Sequence, residues 1–126
     1  MTNHYRAGRR VEIMIADQLG ENGYDVVLSS VSKGAADLVA FHDGEILFVQ
    51  VKKSHKTHAT PAERRELLRL AERVGRSAWA IVAHRQPHPE NARRMVTVYR
   101  ELTGPGPREW VPWVPRNQIG AVDGIA

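Results

Sequence analysis

Cysteine is absent from this chain of 126 residues. That excludes disulfides and thiolate metal sites, and it fits a protein expected inside a cell, in the cytoplasm of its own organism or of a host. No apolar run approaches the roughly 20 residues that a membrane helix needs. The opening residues, Met1-Thr2-Asn3-His4-Tyr5-Arg6, lack the apolar core of a signal peptide. No membrane partner is expected. There is also no glycine-rich loop of the P-loop kind, no Ser-His-Asp order, no internal repeat and no low-complexity segment. His55-x-x-His58 and the pair His84 and His88 lack cysteine or a second well-spaced pair, so neither zinc nor a small-molecule cofactor is expected.

What the chain has is positive charge, unevenly placed. The net charge is +4 and the isoelectric point about 9.9. Between Lys52 and Arg76 stand eight Lys or Arg against three Glu, a local excess of five. Arg6, Arg9 and Arg10 form a second basic group. Clustered cations point to a polyanion, most often nucleic acid. The plainer reading is a solvated helix face with weak ion pairs.

The hydrophobic pattern gives one α/β domain over 1–126, with an irregular tail rich in Pro and Trp from about 103. Val11, Met14, Ile15 and Leu19 recur at helical spacing, so a helix is expected over about 6–22. Strands are expected over 24–30, 37–41 and 45–52. Asp43-Gly44 between two apolar runs is a strong hairpin signal. Thr60-Pro61-Ala62-Glu63 is a capping box with proline at the first helical position, opening a helix that Gly75 ends. Further strands are expected over 78–83 and 95–101, separated by a turn at 86–90 with two prolines. The order is αβββαββ, with room for one short strand in the tail. A crossover helix between the third and fourth strands implies a mixed sheet with a helix on each side.

The chemistry gathers at one strand pair. Residues two apart in a strand share a face, so Gln50 and Lys52 point the same way. Asp37 lies six residues before the turn and Gln50 six after it. An in-register hairpin sets them opposite each other. An acid, an amide oxygen and an ammonium group then converge at one end of the sheet. Mg²⁺ prefers oxygen ligands and needs only one or two carboxylates beside a phosphate. A metal at Asp37, Gln50 and the backbone carbonyl of Val51, with Lys52 near the water, suits phosphodiester hydrolysis. Glu12 flanks the apolar stripe of the first helix and can look toward the sheet. Each residue also has an ordinary reading: a strand end at the solvent boundary for Gln50 and Lys52, a loop acid for Asp37, a surface Glu paired with Arg9 for Glu12.

Four separated segments add a family. Tyr5-Arg6-x-Gly8-x-x-x-Glu12, Gly23-Tyr24-x-Val26-Val27-x-Ser29, Asp37-Leu38-Val39-Ala40 and Val49-x-Val51-Lys52 together resemble the archaeal-type Holliday junction resolvases of the PD-(D/E)XK nuclease superfamily. The resemblance covers about 5–53 by motif and the rest by element order. It implies a restriction-endonuclease-like fold, a homodimer, and Mg²⁺-dependent symmetric cutting of four-way DNA junctions, with Mn²⁺ as a substitute. By matching position it implies Glu12, Asp37 and Gln50 at the metal and Lys52 as the catalytic lysine. It also implies a serine, Ser30 or Ser32, in the loop that approaches DNA. Arg6, Arg9, Arg10, Lys33, Lys53, Lys56, Arg64 and Arg65 are the candidate contacts to branched double-stranded DNA. Trp110 and Trp113 are candidates for the dimer contact or, equally, for capping the sheet of one subunit.

One residue departs from the family pattern. Gln50 stands where the family has a glutamate. It keeps a carbonyl oxygen but brings no negative charge, so metal affinity should fall. The amide can serve as a neutral ligand, Glu12 can supply the missing charge, or the protein can bind junctions without cutting. The alternatives to a resolvase are another nuclease of the superfamily acting on flaps, nicks or specific sites, and a non-catalytic junction-binding protein with a disabled metal site.

Overall fold

The computed structural model describes residues 3–29, 36–54 and 56–117, with side chains from residue 9 onward. Helix α1 spans Asn3–Glu21. It buries Ile15 and Leu19 completely and packs Val11 beside them. Met14, expected on the same stripe, is instead 40% exposed. The helix ends where Gly23 turns to a φ of 92° and the Tyr24 N–H reaches back to the Leu19 carbonyl at 3.0 Å.

Strands β1 (Asp25–Leu28), β2 (Leu38–His42) and β3 (Glu45–Lys52) follow as an antiparallel meander. Asp43 and Gly44 both take positive φ, 44° and 81°, which is the type I′ geometry that matches strand twist. Helix α2 (Pro61–Val74) starts at the capping box: the Thr60 hydroxyl accepts from Glu63 N at 3.1 Å and Glu63 Oε1 accepts from Thr60 N at 2.8 Å. It ends at Gly75, φ 110°.

Strand β4 (Ala78–His88) then runs parallel to β3, and β5 (Asn91–Leu102) and β6 (Trp110–Trp113) complete a six-stranded mixed sheet in the order β1-β2-β3-β4-β5-β6. β4 and β5 are longer than their apolar patterns suggest. Pro87 lies inside β4 rather than in a turn, because a register shift between Pro87 and His88 accommodates the missing donor, and the reversal falls at 89–90. The tail is less irregular than its composition. β6 pairs with β5, Tyr99 opposite Trp113 and Leu102 opposite Trp110.

The two faces of the sheet carry separate cores. On one, α1 covers Leu38, Ala40, Leu47, Val49, Ile81, Ala83 and Tyr99. On the other, α2 places Leu67 and Ala71 over Ala80, Val82 and Leu102. Trp113 closes the first face, 5.3 Å from the Tyr99 ring, and Trp110 packs on the second. Both tryptophans therefore cap the sheet within one chain.

Candidate active site

β2 begins where β3 nears its end, so their shared rim is open beyond Leu38 and Val49. Leu38 is paired with Val49, which puts Asp37 opposite Gln50. The ladder continues through Asp37: its N–H donates to Val49 O at 2.8 Å and its carbonyl accepts from Ser29 N at 2.9 Å. Its side chain is thereby aimed along the rim. Asp37 Oδ2 accepts two hydrogen bonds, from Val51 N at 2.7 Å and from Gln50 Nε2 at 3.0 Å. Val51 was expected to offer its carbonyl; its N–H is the group seen to engage the acid.

Only the NH₂ end of the Gln50 amide can face a carboxylate. The carbonyl oxygen Oε1 is therefore turned away from Asp37. Gln50 is 7% exposed, and Oε1 is buried with no hydrogen-bond partner among the described residues. Such an orphan acceptor is destabilising unless something else occupies it.

Lys52, one step further along the same face, turns to α2. Its Nζ donates to Glu63 Oε1 at 3.0 Å and Oε2 at 3.2 Å, with the lysine side chain 14% exposed. Burial alone would raise the Glu63 carboxyl. The Thr60 N–H and the Lys52 ammonium outweigh it and hold Glu63 below the usual glutamate value.

Asp37 moves the other way, up to about 6. Burial is the largest cause, opposed by the Val51 N–H; Glu12 and Glu63 push it further up and Lys52 pulls it down. Three acids and a lysine thus share one electrostatic neighbourhood. Glu12 is held at its edge: Arg9 Nη1 donates to Glu12 Oε1 and to the Ser29 carbonyl, both at 3.1 Å. The surface pairing of Glu12 with Arg9 and its approach to Asp37 occur together. Arg9 is a clamp between α1 and the end of β1 rather than an unpaired cation.

The remaining candidates divide. Arg10, Lys53, Lys56 and Arg65 are exposed. Arg64 is not a surface cation. It is 9% exposed, donating Nε to the Pro105 carbonyl at 2.7 Å and Nη1 to the Ala59 carbonyl, so it ties α2 to the loop before β6. On the same helix Glu66 pairs with Arg69. Ser30, Ser32, Lys33 and the Arg6 side chain lie outside the described residues. Glu63 is the site residue that sequence reasoning missed. Its signal was present, since the third position of a capping box fixes a carboxylate beside the helix start, but its lysine partner is 11 residues away across a loop.

Among the described residues no three His, Cys, Asp or Glu side chains gather as a metal cluster. The donor set still suits a hard cation: the Asp37 and Glu12 carboxylates and an amide oxygen already buried without a partner. Mg²⁺ keeps several waters and asks for little more.

The family described as "Hjc: Archaeal holliday junction resolvase (hjc)" matches residues 3–100. Among solved structures, Hjc from Archaeoglobus fulgidus, described as a Holliday junction resolvase from an archaeal hyperthermophile, is similar with a TM-score of 0.56 and 22% identity over 73% of this chain and 70% of that one. At that identity the likeness speaks for the fold. No curated protein sequence matches this chain.

Proposed function

The chain belongs to the archaeal Holliday junction resolvases, a family of structure-specific nucleases of DNA recombination and repair, and on that premise we propose a Mg²⁺-dependent homodimer that cuts four-way junctions at Asp37, Gln50 and Lys52. The observation that carries the site is the Asp37–Gln50 pair, 3.0 Å apart on adjacent strands, with the amide oxygen buried and unclaimed.

Asp37 and Glu12 would hold the ion, and Gln50 would join them by turning its amide over, so that Oε1 replaces Nε2 on the Asp37 side. When bound the ion supplies charge stabilisation at the scissile phosphate and a more acidic water. Asp37 has to be ionised to bind it, and burial and the neighbouring acids make that proton easier to keep than usual. Lys52 presents a fixed positive charge where negative charge develops on phosphate. Glu63 positions that ammonium by holding it from the α2 side. Arg10, Lys53, Lys56 and Arg65 supply phosphate contacts, which carry no sequence information and so suit recognition by shape. Symmetric cutting of a junction requires two sites, hence a two-fold dimer. Work on branched DNA supports a location inside the cell.

One feature favours a second reading. Glu12 and Lys52 are both ion-paired and position 50 is neutral, which is also how a junction binder with a silent site would look. Incubation with a four-way junction, a flap, a nicked duplex and plain duplex, under Mg²⁺ and Mn²⁺, decides. Paired cuts in the junction alone are expected. Preferential cutting of the flap or nick would reassign the substrate, and tight junction binding without cleavage under either ion would refute the nuclease.

A further inference from the structure

A second concave site lies on the same face of the sheet as Gln50 and Lys52. It is about 260 Å³, smaller than the sites that enclose drug-sized ligands. Val82 and His84 of β4 line it, and these are the register partners of Gln50 and Lys52. Adjacent strands are about 4.8 Å apart, so the pocket begins one strand away from the catalytic rim.

Its chemistry is one-sided. Arg64, Arg100 and Arg108 line it with His58 and His84, and among the described residues no Asp or Glu does. The Arg100 guanidinium lies over the Trp110 ring at 4.3 Å from its centroid. Its Nε is buried with no hydrogen-bond partner among the described residues. Burial pushes Arg100 below the usual arginine value, as expected for a cation taken out of water with no acid to meet it. Arg64 spends its Nε and Nη1 on backbone carbonyls, which fixes the wall without neutralising it. A half-buried Arg100 whose Nε lacks a partner, beside the buried Arg64, is destabilising by itself, and an anion relieves that.

We propose that this pocket binds a phosphate group, held by Arg100 and Arg108 beside the Trp110 ring. Arginine's planar fork suits two phosphate oxygens at once. The group can belong to a DNA strand, close to the phosphate being cut, or to a free phosphate or mononucleotide. The first source rests on the resolvase reading; the phosphate chemistry does not.

The test uses the full chain in EDTA, so that the rim holds no metal. Tryptophan emission is titrated with inorganic phosphate and with a 5′-mononucleotide, against chloride at equal ionic strength. A saturable, phosphate-specific change is expected, absent in Trp110→Phe and weakened at least tenfold in Arg108→Gln, whose exposed position spares the fold. Junction affinity is then measured against salt. Loss of one phosphate contact in Arg108→Gln lowers the log–log slope by about 0.7–0.9. If bound junction displaces phosphate, the occupant is the DNA strand; if the mononucleotide binds junction-loaded protein equally well, the source is the free ligand. No phosphate-specific response together with an unchanged salt slope overturns the proposal. A failure to cleave junctions, with phosphate binding intact, would instead remove only the nuclease reading.

Discussion

Gln50→Glu restores the acid that the family pattern carries and puts the site geometry at risk in a calculable way. The wild-type amide donates to Asp37 Oδ2 at 3.0 Å. A carboxylate in its place removes that donor, and a hydrogen bond to a charged group contributes ~1.5–3 kcal/mol. It also sets two carboxylates about 3 Å apart, where an effective dielectric near 20 gives a repulsion of ~5 kcal/mol. Proton uptake limits the damage, since protonating an ordinary glutamate at about pH 7.5 costs ~4 kcal/mol. Asp37, already up to about 6, takes that proton at lower cost. The metal-free variant should be destabilised by ~2–4 kcal/mol.

For a chain of 126 residues the unfolding entropy near the midpoint is about 265 cal/mol/K, so each kcal/mol moves Tm by about 4 °C. Metal-free Gln50→Glu should therefore melt about 8–15 °C below wild type. Adding Mg²⁺ should reverse the order of gains. An anionic ligand raises affinity, and each tenfold adds ~1.4 kcal/mol of ligand-linked stability, about 5 °C. Thermal denaturation by circular dichroism, with EDTA and with a Mg²⁺ series, reads both. An unchanged metal-free Tm would mean the Asp37–Gln50 contact is wrong. A fall without a larger Mg²⁺ increment would mean position 50 faces no metal.

Three further outcomes follow from the same contacts. Because the folded-state value of Asp37 is raised, the metal-free protein should lose stability as pH rises from about 4 through about 6, by ~1–2 kcal/mol after screening. Asp37→Asn should lack that step, bind junctions and fail to cut, and wild-type Mg²⁺ affinity should drop tenfold per pH unit below about 6; a pH-independent difference between the two proteins in metal-free melts would refute this. Glu63→Gln removes the charge that pairs with Lys52 while its amide oxygen can still accept from Thr60 N, so urea titration should register a loss of ~1–3 kcal/mol, and an unchanged midpoint would show the ion pair adds nothing. Trp113→Ala should cost ~2–4 kcal/mol, because the ring packs against Tyr24 and Tyr99; a stability within ~0.5 kcal/mol of wild type would make the tail an appendage.

What the sequence made legible was local chemistry. Asp43-Gly44 is a strong signal for a tight hairpin turn, and with an in-register hairpin the opposition of Asp37 to Gln50 followed from counting. The Thr60–Glu63 box fixed the start of α2 to the residue. Contacts between distant segments stayed hidden. Nothing in the order of residues says that Lys52 meets Glu63, or that Arg64 turns inward to the carbonyls of Ala59 and Pro105. Pro87 misled because proline is read as a strand breaker, while a register shift lets β4 pass through it. In the tail, prolines and glycines left room for one short strand; β6 is that strand, and its two tryptophans cap opposite faces of the sheet.

The substitution at position 50 changes how the site is assembled more than whether it exists. Among the described residues the acids around Asp37 are Glu12 and Glu63, and the cations are Arg9 and Lys52. Three acids against two cations leave one net negative charge when all are ionised. A glutamate at position 50 would leave two, in a rim where burial already raises Asp37 to about 6. Such a site stays partly protonated until a cation arrives. With the amide, Nε2 orients Asp37 in advance, and Oε1 reaches an ion there only when the amide turns over. Charge that would have drawn the ion is exchanged for a rim already formed without it. Affinity is then lower, and the geometry of Asp37 depends less on occupancy, which is the balance that the opposite signs expected for Gln50→Glu would expose.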